Sequence, residues 1–296
     1  IQFSPRIYWL SNPELQKNLE TYQKIVDFFL EQGIERNSVI YAIGGGATSD
    51  LAGFVASTLL RGVKWRVIPT TLLAMVDAAI GGKVAVNLPQ GKNLVGAFYH
   101  PEEILLCTDF LKTSSASDLM SGEGEIIKYG FLSAEVNDLI HGKKSLEEIV
   151  EACAHYKMDI VKKDFKEQGD RIFLNLGHTF GHAFEFHWKI PHGQAILMGM
   201  KTVFMLFDLK SSLTELAQLM KDRQVNESFV DWSKFGPIKM EDFLKTVYAD
   251  KKKQQAKLRF ILIKRVGSCY TEELTSSELK KMLEANEDLQ HLFGNN

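Results

Sequence analysis

Val39-Ile-Tyr-Ala-Ile43 runs without a break into Gly44-Gly45-Gly46, and this join limits the possible folds more than any other stretch of the chain. A short apolar run bounded by glycine suits a buried strand. Asp50 to Leu60 then reads as a helix, and Trp65-Arg-Val-Ile68 as a second strand. Strand, glycine turn, helix, strand is a βαβ unit with a parallel sheet. Upstream, Leu19, Tyr22, Ile25, Val26, Phe29 and Leu30 recur at helical spacing over 19–32, and Gly33 ends that helix. Downstream, Pro69-Thr70-Thr71 closes the second strand and Leu72 to Ala79 continues as a helix.

The character changes after about residue 113, where Ser114, Ser115, Ser117 and Asp118 form a polar break. Helices are expected at 118–131, 145–164, 178–188 and 195–208, followed by shorter ones. Leu258 to Ile263 reads as a strand returning to cover the helices. The expected organisation is α/β plus all-α: a nucleotide-type α/β domain over 1–113 and a mainly helical domain over 114–296. A cleft between two such domains is a favoured ligand site. The 296 residues, 45% apolar and 24% charged, are those of a globular protein. A net charge of −2 gives no global attraction to nucleic acid or to an anionic membrane. The greasy run from Ala195 to Leu209 is interrupted by Lys201 and Asp208 and is too short to span a bilayer. The three cysteines form no CxxC pair and no disulfide framework, and no signal peptide is visible, which fits a reducing cytoplasm.

Chemistry-bearing residues are concentrated. Four of the eight histidines, His178, His182, His187 and His192, fall within one short segment. Such clustering beside glycines points to a metal site, an acid–base site, or both; on spacing alone, histidines at i and i+4 fit an exposed helix edge as well. Gly44 to Gly46 between strand and helix fits phosphate binding at a helix N-terminus or a bare tight turn, and it is not a GxGxxG fingerprint. Asp77, Gly82-Lys83 and Gly91-Lys92-Asn93 suit an anionic ligand, although a lone loop lysine is usually solvated. Glu125 and Lys128 share a helix face, either as a surface pair or with Glu125 as a metal-ligating carboxylate. Arg171, Asn175, His178 and His182 would line one side of a continuous segment if the helix ran across Gly177. His187 reads as an ordinary helix histidine, and the run Asp250 to Lys253 as solvated charge.

Taken together, Gly44-Gly-Gly-Ala-Thr-Ser-Asp50, Leu60-Arg-Gly62, Pro69 to Asp77, Ile80-Gly-Gly-Lys83, Gly91-Lys-Asn93, Gly122-Glu-Gly-Glu-Ile-Ile-Lys128, Leu174 to His182 and His192-Gly193 resemble the 3-dehydroquinate synthase family of sugar-phosphate cyclases, in order and nearly in spacing. The resemblance implies an N-terminal Rossmann-like NAD-binding domain and a C-terminal helical metal-binding domain. It implies metal ligands Glu125, His178 and His192, with His182 acting on the substrate instead of pairing with His178 on the metal. NAD would be held by Gly44, Gly45, Gly46, Asp50, Thr70, Thr71, Lys92 and the segment from Phe110 to Thr113, with Glu14 and Lys17 on its adenosine side. Arg61, Asp77, Lys83, Asn93, Lys128, Lys157, Glu167, Arg171, Asn175 and one of Lys251 or Lys252, taken as Lys252, fall on substrate-pocket positions.

The activity so implied is conversion of the sugar acid phosphate DAHP to 3-dehydroquinate and phosphate, in the shikimate route to chorismate and aromatic amino acids. It proceeds by NAD-mediated oxidation, phosphate elimination, reduction, ring opening and aldol closure, with NAD regenerated each turnover. The implied cofactors are NAD and one divalent metal, zinc, with cobalt as a substitute. A cytoplasmic homodimer follows by analogy. The alternatives are a sister cyclase acting on sedoheptulose 7-phosphate, a metal-dependent alcohol dehydrogenase, and a non-catalytic or multifunctional-chain module. Departures from the family pattern are Ser49 for glycine, Ser114 to Asp118 without the usual arginine, and Gln194 for glutamate after His-Gly. The family also carries several dozen residues before the position of Ile1, so the sheet is expected without its first strand or strands.

Overall fold

The structure is a computed structural model that describes residues 5–248 and 257–293. It forms two compact units: the chain up to Ser114 with Lys157–Lys166, and Ser115–Tyr156 with the chain from Glu167 onward.

In the first unit a short helix α1 (Pro13–Gln16) leads into α2 (Leu19–Glu31), whose first turn is capped by the Asn18 side chain accepting from the Thr21 N–H at 2.9 Å. Strand β1 (Val39–Gly44), helix α3 (Gly46–Thr58) and strand β2 (Lys64–Pro69) make the expected βαβ unit. β1 pairs in parallel with β2, in a register that sets Ile40 beside Trp65 and Ala42 beside Val67. The helix begins four residues earlier than the apolar pattern alone indicates, because Gly46 to Ser49 can all be wound into its first turn.

The expectation of a strand buried on both faces is half right. Ile40, Ala42, Trp65 and Val67 pack with Ile25, Leu51 and Val55 in one core, but Tyr41 and Ile43 are 45% and 58% exposed. Among the described residues the helices lie against one face of this sheet, so side chains alternate between core and solvent. The helix expected from Leu72 is present: Leu72 and Leu73 are α-helical and lead into a π-helical turn over Ala74–Ala78, ending at Ala79. Next comes a hairpin that the sequence reading did not anticipate, β3 (Lys83–Leu88) antiparallel to β4 (Gly91–Phe98). Lys83, Lys92 and Asn93 therefore project from strands, not from loops. A short strand β5 (Glu103–Ile104) extends the sheet to the order β1-β2-β5.

The second unit opens with α4 (Ala116–Leu132), capped by Ser115, whose hydroxyl accepts from the Asp118 N–H at 3.1 Å. Then come α5 (Ala134–His141) and α6 (Leu146–Lys163), the latter ending among the residues of the first unit. A 3₁₀ turn (Asp170–Asn175) precedes α7 (His178–Trp188) and α8 (His192–Leu206). Gly177 stands between turn and helix at φ +78°, so the helix does not continue across it and Arg171 and Asn175 do not share a helical face with His178. The greasy run of the sequence is the body of α8: Ala195 to Met198 and Met200 are fully buried, flanked by α4 and α7. Helices α9 (Lys210–Asp222) and α10 (Met240–Tyr248), the hairpin β6 (Leu258–Arg265) and β7 (Ser268–Leu274), and α11 (Ser276–Ala285) complete the unit. Among the described residues no helix is long and apolar enough to cross a membrane.

Candidate metal centre and nucleotide cradle

The centre of the second unit depends on how closely three helices approach. A Cβ on Gly193 would lie 2.2 Å from the Met120 carbonyl oxygen, and one on Gly124 would lie 2.2 Å from the Gly193 carbonyl oxygen. Only two glycines allow α4 and α8 to cross there. Glu125 follows Gly124 and His192 precedes Gly193, so the crossing carries these two side chains to each other. His178 opens α7 directly after Gly177.

Glu125, His178 and His192 each offer a ligand atom within 4.8 Å of the others. Glu125 is fully buried. His192 Nε2 lies 3.2 Å from Glu125 Oε1, and His178 Nε2 lies 3.5 Å from the same oxygen. Ligand atoms about 2.0–2.1 Å from a tetrahedral zinc ion are separated by roughly 3.3 Å. The two measured separations bracket that value, and two imidazoles with one carboxylate are a suitable zinc donor set, so these residues fit a divalent metal. The far ring nitrogens are also held: His178 Nδ1 faces the Leu176 carbonyl oxygen at 3.1 Å, and His192 Nδ1 faces Glu185 Oε2 at 3.0 Å. Each contact calls for a proton on Nδ1 and leaves the Nε2 lone pair for a metal.

The Lys128 ammonium lies against Glu125 Oε2, and both side chains are almost wholly enclosed. Burial opposes ionisation of Glu125, yet Lys128 and the two imidazoles hold its carboxyl well below the usual carboxylate range. Burial pushes His178 down to about 3, leaving it neutral. Burial also acts downward on His192, but hydrogen bonds to Glu125 and Glu185 outweigh it and raise the ring to about 10. The proton of His192 is thus held between two carboxylates, and a divalent cation beside Glu125 would displace it.

His182 is exposed, with its ring 5.3 Å from that of His178 and 6.1 Å from that of His192. Asn175 Nδ2 donates to Glu167 Oε1 at 2.8 Å, and Arg171 is buried, 3% exposed. Lys251 and Lys252 lie outside the described residues. His187 donates from Nε2 to Thr246 Oγ1 at 3.0 Å, which ties α7 to α10 as befits an ordinary helix residue. Gln194 turns away from the triad; its Nε2 donates to the Phe229 carbonyl oxygen at 3.0 Å.

In the first unit, Gly44 ends β1, Gly45 is the N-cap of α3 and Gly46 opens that helix with no side chain capping it. Thr70 and Thr71 close over this turn: the Thr70 N–H donates to the Gly44 carbonyl oxygen at 2.9 Å, and a Cβ on Gly45 would touch Thr71 Cγ2 at 3.0 Å. Free N–H groups at a helix N-terminus beside bare backbone suit a phosphate. The Lys17 ammonium joins Asp50 to Asn93, donating to Asn93 Oδ1 at 2.6 Å. Burial raises the Asp50 carboxyl, with Lys17 working against that. Exposed Lys92 pairs with Glu14 at 3.4 Å. Asn93 is thereby grouped with the predicted nucleotide residues. Lys157, buried, donates to both the carbonyl oxygen and Oδ1 of Asp77 at 2.7 Å. Arg61 is exposed at φ +69° next to Leu60 at φ +52°. Phe110 and Thr113 share the 3₁₀ turn Thr108–Thr113, where Thr113 Oγ1 donates to the Phe110 carbonyl oxygen at 3.2 Å.

Sequence reasoning missed Glu185 and the glycine crossing. Glu185 is seven residues after His178, nearly two whole turns, and that spacing was a usable signal. The Gly124–Gly193 contact joins segments far apart in sequence and had none.

This architecture is that of cyclase-type synthases. The solved structure of 2-deoxy-scyllo-inosose synthase, complexed with carbaglucose-6-phosphate, NAD+ and Co2+, superposes with a TM-score of 0.78 at 25% identity, covering 91% of this chain and 79% of its own. The 2-epi-5-epi-valiolone synthase of Streptomyces hygroscopicus subsp. jinggangensis 5008, with NAD+ and Zn2+ bound, shares the fold at a TM-score of 0.78 and 24% identity, covering 94% of this chain and 82% of its own. The family models for the N-terminal and C-terminal parts of 3-dehydroquinate synthase match residues 7–121 and 122–253. The 3-dehydroquinate synthase of Staphylococcus aureus (strain MRSA252) is 36% identical over 92% of this chain and 79% of its own length. The chain belongs to the 3-dehydroquinate synthase family.

Proposed function

We propose that this chain converts DAHP to 3-dehydroquinate and inorganic phosphate, with NAD held by the first unit and one divalent metal, zinc, by Glu125, His178 and His192. Family membership makes it a phosphate-eliminating lyase. The observation that carries the reading of the site is the convergence of His178 Nε2 and His192 Nε2 on one oxygen of a buried carboxylate, at 3.5 and 3.2 Å. When bound, NAD supplies reversible hydride exchange, and the metal polarises a substrate hydroxyl oxygen.

The chain's own groups supply binding and orientation. Gly44 to Gly46 present backbone N–H groups at the start of α3 to the dinucleotide phosphates, with Thr70 and Thr71 closing over the turn; Asp50 and Lys92 contribute to the same NAD site, and Glu14 and Lys17 mark its adenosine side. Arg61, Lys83, Lys128, Lys157 and Arg171 are the cations for a substrate that carries both a phosphate and a carboxylate, with Arg171 suited to bidentate contact. Asp77 of the first unit and Glu167 and Asn175 of the second match the family's substrate positions, as does Lys252, which lies outside the described residues, while Asn93 stands with Lys17 and Asp50. The Lys128 ammonium lies against Glu125 Oε2, and Oε1, which both histidines face, would be the oxygen offered to the metal. His182 stands on α7 one turn from His178 and is exposed, placed to exchange a proton with bound substrate. Domains are taken as 1–113 and 114–296, the protein as a cytoplasmic homodimer.

The test is phosphate release by the purified chain from DAHP, with and without NAD and zinc, with sedoheptulose 7-phosphate in parallel. The expected result is cofactor-dependent release from DAHP with no net NADH. Release from the heptulose phosphate alone would reassign the substrate, and stoichiometric NADH would make the protein a dehydrogenase.

A further inference from the structure

We propose that Glu185 is a positioning residue of the metal centre, holding His192 in the tautomer and ring orientation that ligation needs. The proposal rests on the ligand set Glu125, His178 and His192. His178, His182 and Glu185 fall at i, i+4 and i+7 on α7 and form one stripe. From that stripe Glu185 Oε2 reaches His192 Nδ1 at 3.0 Å, while His192 Nε2 faces Glu125 Oε1 at 3.2 Å. A ring that donates from Nδ1 to a carboxylate carries its lone pair on Nε2, where the other two ligand atoms are.

The two ligand histidines are secured differently. His178 Nδ1 is held by a backbone carbonyl, that of Leu176, which no side-chain change removes. His192 depends on a side chain from another helix. Its ring is also the more exposed of the two, 24% against 14%, so packing restrains it less. A carboxylate partner further increases the imidazole's donor strength, which a carbonyl does less well. Glu185 therefore acts on the metal through His192 without touching it.

The experiment measures zinc affinity of the full chain by competition with a chelator of known affinity, for the wild type, E185A, E185Q, E185D and H178A. The visible spectra of the cobalt-loaded proteins and the thermal midpoints of the metal-free proteins accompany it. E185A is expected to bind zinc about 10- to 100-fold more weakly, the usual cost of losing an orienting partner. E185Q is expected to recover part of the loss, because its amide oxygen still accepts from Nδ1–H, and E185D less, because it falls one methylene short. The cobalt spectrum of E185A should differ from wild type, while its metal-free thermal midpoint stays close to it. Wild-type zinc affinity and an unchanged cobalt spectrum in E185A would overturn the proposal. So would equal losses in E185A and E185Q that follow a lowered metal-free midpoint, since the role would then be structural. H178A separates the two readings: stoichiometric zinc in H178A overturns the ligand set itself, whereas loss of zinc in H178A with wild-type affinity in E185A overturns only the role of Glu185.

Discussion

Replacing Gly193 by alanine tests how the metal centre is assembled. The added Cβ would lie 2.2 Å from the Met120 carbonyl oxygen and 2.6 Å from that of Ser121. Both are backbone atoms of α4, so no flexible side chain can yield. Real Cβ contacts under 3.0 Å essentially do not occur, so α4 and α8 must separate by about 0.8 Å. His192 adjoins the altered residue and Glu125 is on the opposing helix. The same opening carries His192 Nε2 from 3.2 Å to about 4 Å from Glu125 Oε1. Metal sites tolerate about 0.2 Å of error in ligand distance, so a cation could no longer bond to both residues. The fold is much less affected. Overpacking costs about 1–3 kcal/mol, and alanine returns up to about 1 kcal/mol of helix propensity over glycine. The expected outcome is a folded protein with a thermal midpoint lowered by a few degrees and zinc affinity at least about 100-fold weaker, beyond what loss of an orienting partner costs. Gly130→Ala is the control: the atoms nearest its Cβ would be the side-chain ends of Leu219 and Ile140 at 3.1–3.3 Å, and zinc binding should be kept. Wild-type zinc affinity in Gly193→Ala would refute the reasoning, because the helix crossing would then not set the ligand distance.

Other outcomes follow from single contacts. Gln194→Leu should lower stability by about 1–2 kcal/mol by leaving the Phe229 carbonyl without its donor, with zinc affinity unchanged; a change in zinc affinity would show that Gln194 serves the metal after all. Lys157→Ala should raise KM and lower kcat while leaving NAD affinity intact, and a selective loss of NAD binding would sink that assignment. His141 is clamped between Asp222 and Glu215 at 2.9 Å each, and the Asp222 hydrogen bond, against burial, raises its pKa above the ordinary value. Its stabilisation is complete below the unfolded value near 6.5 and is lost as pH rises through the higher folded pKa. The thermal midpoint difference between wild type and His141→Gln, worth at most about 1 kcal/mol, should be present at pH 5.5 and much reduced at pH 9; an equal difference at both pH values would exclude the clamp.

Local pattern carried much of the fold. The β1–Gly44–α3 join, the periodicity of α2 and the four long helices are properties of neighbouring residues, and all appear in the structure. Where the local signal misled, a tertiary cause is visible. The apolar strand β1 looked buried on both sides but exposes Tyr41 and Ile43, because helices lie against one face among the described residues. The hairpin of β3 and β4 is masked in the sequence because Gly82-Lys83 and Gly91-Lys92, where its strands begin, have the composition of ligand loops. The stripe from Arg171 to His182 failed at Gly177, whose positive φ lets His178 begin a new helix.

For the site, the ordered motifs named Glu125, His178 and His192 as a ligand set only through the family resemblance they carry, since residue spacing alone left His178 and His182 open as a pair. Which atoms meet was decided only by folding. Gly124 and Gly193 are 69 residues apart, and nothing in either segment reveals that one backbone rests on the other. The direction taken by Gln194 and the lysine that holds Asp77 are likewise long-range contacts, while the partner of His192 Nδ1, Glu185, is near in sequence but reaches it from a different helix. A sequence specifies which donors and acceptors exist within a turn or two. The distance between groups on different helices is set by how closely those helices pack, and here by the two glycines where α4 crosses α8.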